Sequence, residues 1–353
     1  MAWSDDAEIR FLPFADHRIA YQVTGAGPPL VAPAWWVSHL ELDWHDETFR
    51  GFWESLAQGF TLIRYDHLGV GMSDRDLGRA EPTLDGQVAT VSAILDELAL
   101  ERVSLIGGST GGSTAVAFAA RFPDRVERLL LYGAYMHGTS IASRDVREAI
   151  IAAVRSHWGL GSRLLADIFL GEVGSAAQAA FARYQRAATN ADTAAALLQL
   201  VYGNDVRTEA KLVRARTLVA HRRGDRAIPY RLGRELAAAI PGATLVPLAG
   251  SAHFPWAGDS HAVVRALRTA LAPGSTPSRA TAGESAAALL SRRESEVLAL
   301  LARGLSDREI AEQLVVSHHT VHRHVASIRH KLGSRSRAAA VAEAARLGLL
   351  PGV

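Results

Sequence analysis

The apolar run Val103-Ser104-Leu105-Ile106 breaks on Gly107-Gly108-Ser109-Thr110-Gly111 and gives way to a helical pattern from Thr114 to Phe122. A strand that turns on five small residues directly into a helix leaves few folds open. Small neighbours let strand and helix approach closely. A P-loop would need Gly-Lys-Ser/Thr after its glycines, and no Lys stands here. A dinucleotide loop would need G-x-G-x-x-G, which this spacing does not supply. The spacing is G-x-S-x-G. Between a strand and a helix, that pattern holds one serine hydroxyl on a strained turn at a helix N-terminus. There the helix dipole and free N–H groups favour negative charge on a reacting oxygen.

A serine hydroxyl is inert without a base. Asp225, in "HRRGDRAIP", follows the strand-like run Thr217 to Ala220, and His253, in "LAGSAHFPW", follows the run Ala243 to Val246. Both fall in loops at strand C-terminal ends, the edge where open α/β sheets put their sites. Singly, Asp225 reads as a turn former and His253 as a satisfied loop histidine. In the order Ser, Asp, His, each after its own strand, Ser109, Asp225 and His253 read as a catalytic triad. Such a triad calls for no cofactor and no metal.

Short strand-like runs at 19–23, 30–32, 61–63, 103–106 and 129–132 alternate with helical spacing such as Val88, Val91, Ile94, Leu95 and Leu98. That alternation predicts a doubly wound, mostly parallel sheet covered on both faces. Strand signals stop from about 137 to 213, where an Ala-, Leu- and Arg-rich stretch predicts a helical insertion over the sheet. Residues 273–288 are dominated by Pro, Gly, Ser, Thr and Ala and read as a linker. They divide the chain into segments 1–272 and 289–353. With 48% hydrophobic and 21% charged residues, the chain has the composition of globular protein and can bury a large core. The chain has no cysteine, which excludes disulfides and thiolate chemistry. Without a signal-like start or a membrane-length apolar run, the expectation is a cytoplasmic protein with no membrane partner.

Residues 1–272 resemble the α/β-hydrolase fold. "RYDHLGVGMSD", 64–74, is similar to that family's D-x-R-G-x-G-x-S segment, with Leu68 in place of Arg. "PPLVAPAWW", 28–36, is similar to the strand leading to its oxyanion loop, with Pro33-Ala34 in place of His-Gly. The resemblance implies an oxyanion hole from the backbone N–H groups of Trp35 and Thr110. It also implies a helical cap at about 137–213, and a pocket for a small ester or lactone. Trp36, Met136, Trp158 and Phe254 are the candidate ligand-pocket walls, beside Trp35.

The last segment is different. It carries a net charge of +4 from Leu290 onward, against −2 for the rest. Ser291-x-x-Glu294 and Ser306-x-x-Glu309 are capping boxes, and Ser317 is a third N-cap candidate. Apolar residues follow at helical spacing: Val297, Leu300 and Leu301; Ile310, Ala311 and Leu314; Val321, Val325, Ile328 and Leu332. Three short helices with a tight turn at Val315-Val316 before the last read as a helix-turn-helix, a small all-α C-terminal domain. No acid stands between Ser317 and Arg337. A pure packing module has no reason to exclude acids there, so double-stranded DNA is the expected partner.

The stretch from Leu290 to about Leu350 resembles the LuxR-type helix-turn-helix, in "LSRRESEVLALLARG", "REIAEQLVVS", "TVHRHVASIRHKLG" and "SRAAAVAEAARLGLL". The resemblance implies base-facing positions at Val321, His322, Arg323 and Ala326. It implies phosphate neighbours at Thr320, His324, Arg329, Lys331, Arg335 and Arg337. It also implies a homodimer, joined through the helix from Ala338 to Leu347 that Gly348 stops. Histidines at 318, 319, 322, 324 and 330 predict DNA binding that tightens as pH falls through roughly 6.5, the ordinary His pKa. Two functions stay open. One is a transcriptional regulator whose hydrolase-like domain binds, and hydrolyses, a small ester or lactone. The other is an esterase or lactonase whose tail only localises or dimerises it.

Overall fold

A computed structural model of the chain describes residues 8–76, 82–171, 173–272, 292–314, 316–332, 334, 336–346 and 349–350. The expected linker at 273–288, Ser291, Val315, Arg335 and Gly348 lie outside the described residues. The chain divides into two compact units, residues 1–275 and 276–353.

The first unit is built on one eight-stranded sheet: β1 (Ile9–Phe14), β2 (His17–Gly25), β3 (Pro29–Ala32), β4 (Thr61–Tyr65), β5 (Val103–Gly108), β6 (Val126–Tyr132), β7 (Arg216–Arg222) and β8 (Thr244–Leu248). Their spatial order is β1-β2-β4-β3-β5-β6-β7-β8. The β1–β2 and β2–β4 pairings are antiparallel and the others parallel. Alternate residues feed opposite faces, as the period of two requires. Leu129 and Leu131 pack on one face with helices α3 (Leu84–Glu97) and α4 (Ser109–Arg121). Leu130 and Tyr132 pack on the other with α2 (Glu47–Leu56) and α11 (Ser260–Leu271). Each such leucine, fully buried, contributes about 1.5–3 kcal/mol. The short α1 (Leu40–His45) precedes α2, and α10 (Tyr230–Ala239) links β7 to β8.

Between β3 and β5 the winding reverses. Chain order runs outward from β3 to β4 on one side and from β5 to β8 on the other. The C-terminal ends at such a switch point form the crevice where open α/β sheets bind ligands. Here they deliver the loop after Ala32 and the turn at Ser109 side by side.

Helices α5 (Arg144–Ser156), α6 (Trp158–Leu170), α7 (Ser175–Ala188), α8 (Ala191–Gly203) and α9 (Arg207–Leu212) fill the insertion between β6 and β7. Their inward residues Val154, Leu165, Leu197 and Leu198 form a core of their own with Trp36, Val37 and Tyr135. No helix among the described residues is long and apolar enough to cross a membrane.

The second unit holds α12 (Arg292–Ala302), α13 (Asp307–Leu314), α14 (His318–Lys331) and α15 (Arg337–Arg346). Val297, Leu298, Leu301, Ile310, Val321, Val325, Ile328 and Ala344 form its core. Gly304, at φ +84°, takes the left-handed turn after α12.

Candidate functional site

The turn at Ser109 is shaped by close fits that admit no side chain at its neighbours. A Cβ on Gly107 would lie 2.6 Å from the Gly111 oxygen, and one on Gly111 would lie 2.7 Å from the Pro33 oxygen. One on Gly112 would lie 2.5 Å from the Ala134 Cβ. Gly108, a variable position of the motif, is equally constrained: its Cβ would lie 2.4 Å from the Trp35 indole. Ser109 itself stands at φ +51°, in the left-handed region that L-residues avoid at a cost of roughly 1–2 kcal/mol. The residue is buried, and α4 starts on it with Gly108 as a cap that offers no side chain. The first amides of a helix have no partner within it. The Thr110 N–H is among them. Its hydroxyl is held separately, accepting from Asn204 Nδ2 of the cap at 3.2 Å.

The loop carrying Trp35 is anchored from below. His67 Nε2 donates to the Trp35 carbonyl at 3.3 Å, and burial pushes the His67 pKa down, so the ring is a neutral donor. Asp66 Oδ2 accepts from Leu40 N at 3.1 Å and Met72 N at 2.8 Å. Gly71, at φ +58°, has no room for a Cβ beside that carboxylate. The polar residues of "RYDHLGVGMSD" thus fix the loop after β3, although Leu68 only packs against the core.

His253 and Asp225 meet as a pair, with His253 Nδ1 donating to Asp225 Oδ2 at 2.8 Å. That contact puts the proton on Nδ1 and leaves Nε2 as the basic nitrogen. Asp225 Oδ1 accepts from Ala227 N at 2.9 Å and Ile228 N at 3.0 Å. Burial pushes the Asp225 carboxyl up, but the His253 ring and these bonds outweigh it and hold it below the usual range. Gly133, at φ +54°, leaves space for the pair: a Cβ there would lie 3.2 Å from His253 Cε1. Among the described residues no hydrogen bond joins Ser109 Oγ to the His253 ring. Such bonds are often long in unliganded sites and tighten with substrate. Phe169 links the two: its carbonyl accepts from His253 N at 2.7 Å, and its ring lines the cavity that holds Ser109.

That cavity measures about 180 Å³ and is lined by Ser109, Thr110, Trp36 and Phe169, with cap residues Ile141, Ile150, Leu165, Leu198 and Tyr202 among its apolar walls. Arg226, in an ion pair with Asp167 at 3.0 Å, is its charged residue. Of the expected walls, only Trp36 belongs here. Met136 packs against the sheet core, its carbonyl accepting from Val206 N at 2.8 Å. Trp158 is turned inward within the cap, its indole donating to the Thr189 carbonyl at 3.0 Å. Phe254 lines a different cavity. The sequence reading also missed His221, whose Nε2 donates to the Ile228 carbonyl at 2.8 Å and lies 3.7 Å from Asp225 Oδ2. Its position near the end of the buried strand β7 gave no pattern to mark it.

In the second unit, Ser306 and Glu309 close a capping box. Ser306 N donates to Glu309 Oε2 at 2.7 Å, and Glu309 N to Ser306 Oγ at 3.3 Å. Ser317 Oγ caps α14, accepting from Thr320 N at 3.1 Å. His322, Arg323, Ala326 and Arg329 are exposed on α14, while Thr320 and His324 are half-buried. Their spacing of three and four puts the exposed four on one face. Val321 corrects the expectation of a base contact: it is 0% exposed, in the core with Val325 and Ile328. Arg337 is engaged within the unit, 3.0 Å from Asp307 Oδ1 and donating to the Leu305 carbonyl at 2.6 Å. The side chain of Lys331 and all of Arg335 lie outside the described residues.

Residues 38–256 match the alpha/beta hydrolase fold family, and residues 288–344 match the family described as bacterial regulatory proteins, luxR family. An uncharacterized protein of Mycobacterium tuberculosis is 34% identical over 126 residues, 36% of this chain and 35% of that protein. The match thus spans about a third of that relative's length. The 2-hydroxy-6-oxononadienedioate/2-hydroxy-6-oxononatrienedioate hydrolase of Escherichia coli is 27% identical over 213 residues, 58% of this chain and 73% of that enzyme. The solved enol-lactonase of Burkholderia xenovorans is 25% identical, with a TM-score of 0.62 over 74% of this chain and 99% of the other. The chain belongs to the alpha/beta hydrolase fold family and carries at its C-terminal end a LuxR-family helix-turn-helix domain.

Proposed function

We propose that this chain is a LuxR-type DNA-binding transcriptional regulator whose hydrolase unit binds and hydrolyses a small ester or lactone at Ser109. The observation that carries the reading is Ser109, strained at φ +51° and lining an apolar cavity, in one unit with a buried His253–Asp225 pair at 2.8 Å. Backbone strain of this kind clusters at functional sites. The names of the E. coli hydrolase and the enol-lactonase support a small carbonyl compound as substrate.

In the proposed reaction Ser109 Oγ attacks the substrate carbonyl while His253 Nε2 takes its proton. The carbonyl oxygen becomes an oxyanion, held by the Trp35 and Thr110 amides. Collapse breaks the bond to the leaving alkoxide, which takes the proton from His253. Water then attacks the acyl-serine, with His253 again as base, and the acid leaves with Ser109 restored. Asp225 keeps the ring in its Nδ1–H form and stabilises it when charged.

The exposed face of α14, with His322, Arg323, Ala326 and Arg329, enters the major groove in this reading, and Thr320 and His324 lie near phosphates. A homodimer through α15, which exposes Ala338, Ala339 and Ala342, would read two half-sites about one helical turn apart. The test uses the full chain. Turnover of p-nitrophenyl esters and simple lactones is measured for wild type and Ser109→Ala, and genomic fragments are selected by binding. Turnover that survives Ser109→Ala rejects the chemistry, and failure to enrich any sequence rejects the regulator.

A further inference from the structure

Strand β7 ends on a buried cation. Arg222 is 1% exposed, and the period of two puts it on the same face of the sheet as Leu218 and Ala220, the face that α11 covers. Burying a guanidinium is costly unless its N–H groups all find acceptors. Its partners among the described residues are main-chain carbonyls, not carboxylates. Nη1 donates to the Ala252 oxygen at 2.9 Å and to the Phe254 oxygen at 3.1 Å. Nη2 donates to the Pro255 oxygen at 3.4 Å and to the Asp259 oxygen at 3.3 Å.

The first two carbonyls stand on either side of His253 in the chain. His253 has other ties of its own: its N donates to the Phe169 carbonyl at 2.7 Å and its Nδ1 to Asp225 Oδ2 at 2.8 Å. The imidazole therefore hangs from a segment whose flanking peptide groups are both held by one side chain. The segment curls around that side chain. Gly250, at φ +100°, and Gly258, at φ +69°, turn beside it, where a Cβ would lie 3.5 Å from Arg222 Cδ and 3.8 Å from Arg222 Nη1.

Arg222 also leads into the other member of the pair. Its carbonyl accepts from Asp225 N at 3.3 Å. Arg223 N donates to the Leu248 carbonyl at 2.8 Å, and Gly224 N to the Gly250 carbonyl at 3.1 Å. The end of β7 thus carries Asp225 on its main chain and the His253 segment on its last side chain. A guanidinium suits the second task. Its N–H groups lie in one plane at fixed angles and can hold several carbonyls at once, whereas a Lys ammonium is a compact point of attachment.

We propose that Arg222 is the positioning residue for His253. By fixing the peptide groups on both sides, its guanidinium holds the imidazole where Nδ1 meets Asp225 and Nε2 can take the Ser109 proton. The proposal rests on the hydrolytic reading of the Ser109 site. Arg222 does not line the cavity that holds Ser109, so its effect falls on turnover and not on substrate binding.

The test is hydrolysis of p-nitrophenyl butyrate by the full-length protein. Arg222→Lys keeps the charge and loses the planar fork. It should lower kcat about 10- to 100-fold, the loss expected when a reacting group shifts by up to about 1 Å, with KM within about threefold of wild type. The loss should run through His253. In a His253→Ala background the same substitution should therefore change the residual rate less than about twofold, because groups that act as a unit are not additive. Unchanged kcat in Arg222→Lys overturns the proposal, as does a loss carried by KM. A further fall of about tenfold in the His253→Ala background also overturns it, since Arg222 would then support the site by another route. Should Arg222→Lys fail to fold by circular dichroism, Arg222→Met decides, an apolar chain of similar length being tolerated in place of a buried charge. A fall in its kcat at near-constant KM supports the clamp, and unchanged kcat rejects it. If wild type shows no turnover that Ser109→Ala abolishes, the hydrolytic reading fails and takes the proposal with it. If wild type turns over and Arg222→Lys is indifferent, the proposal fails alone.

Discussion

The serine turn and the exposed face of α14 are built on opposite terms. Around Ser109 every neighbour is fixed by contact: four glycines have no room for a Cβ, and the serine is held in a conformation it would not choose. On α14 one stripe, Val321, Val325 and Ile328, is buried and fixes the helix. The stripe opposite, His322, Arg323, Ala326 and Arg329, is exposed, with His322 Nδ1 3.7 Å from Asp307 Oδ2. Chemistry at a carbonyl needs atoms held to fractions of an ångström. Reading a duplex needs charge and hydrogen-bonding groups presented outward, on a scaffold that can vary them without loss of fold. One region spends stability on geometry, and the other leaves one helix face out of the core.

The largest effect expected from this contrast is at the serine itself. Ser109→Ala should lower kcat on an activated ester by at least about 10⁴-fold, and Asp225→Asn by about 10⁴-fold. DNA affinity of the same full-length variants, measured without ligand by fluorescence anisotropy, should stay within about twofold. A parallel collapse of DNA binding would break the separation.

Next come three substitutions that put fold and function on different footings. Gly108→Ala forces a methyl against the Trp35 indole and should cost about 1–3 kcal/mol of stability, with activity falling alongside. Arg323→Ala should leave the urea midpoint within experimental scatter yet weaken operator binding by about 1–3 kcal/mol. Val321→Ala should do the reverse, costing about 2 kcal/mol of stability through a core cavity. Loss of sequence preference in a folded Val321→Ala would mean that this side chain does reach a base.

The same contrast explains what could be read in advance. Buried geometry leaves a spaced signature, because only glycine fits four positions around Ser109, and Ser109, Asp225 and His253 each follow the end of a strand. The sheet was legible for the same reason, since buried parallel strands are short apolar runs. The edge strand β1 was not: in Ile9–Phe14 only Leu12 is buried, and Pro13 interrupts the run. At Val321 two readings conflicted. Apolar spacing with Val325, Ile328 and Leu332 pointed inward, family likeness pointed outward, and burial followed the spacing. The Phe254 cavity was illegible because its walls come from four separate stretches, within 32–53, 64–65, 170–184 and 254–260, that only the fold assembles. Met136 and Trp158 show the limit of composition: large apolar residues near a site are as readily core as wall.

Burial also gives the hydrolase unit a titration that an exposed face lacks. Burial pushes the Asp43 carboxyl up to about 7, helped by the Asp66 charge and opposed by Arg64 and the Tyr184 hydroxyl. His39 is the other titratable group in contact, with its amide on Asp43 and its own pKa lowered by burial. A carboxyl whose folded pKa lies above its unfolded value contributes stability that is complete below about pH 4. That contribution is lost as pH rises through about 7. Urea midpoints of wild type should therefore fall between pH 5 and 7.5 through this group. Asp43→Asn puts a neutral amide where the carboxyl titrates, and should show a smaller fall. An unchanged slope would place the pH sensitivity of the unit elsewhere.

The smallest effect tests whether the C-terminal unit really keeps stability apart from reading. Ser306 and Glu309 satisfy each other's amides at the start of α13, and neither side chain bonds to the exposed stripe of α14, although Asp307 between them lies 3.7 Å from His322. Ser306→Ala removes one half of that exchange and should cost about 1 kcal/mol, typical of a lost N-cap. The unit is small, so even this shifts its thermal midpoint by several degrees, on the order of 4–8 °C. Operator affinity below the new midpoint should not change, because the cap touches neither the exposed residues nor their helix. If affinity falls with the cap, the packing of α13 against α14 sets the angle of the reading helix. The two faces of α14 would then be coupled after all, and the C-terminal unit would be closer in kind to the serine turn than its exposed surface suggests.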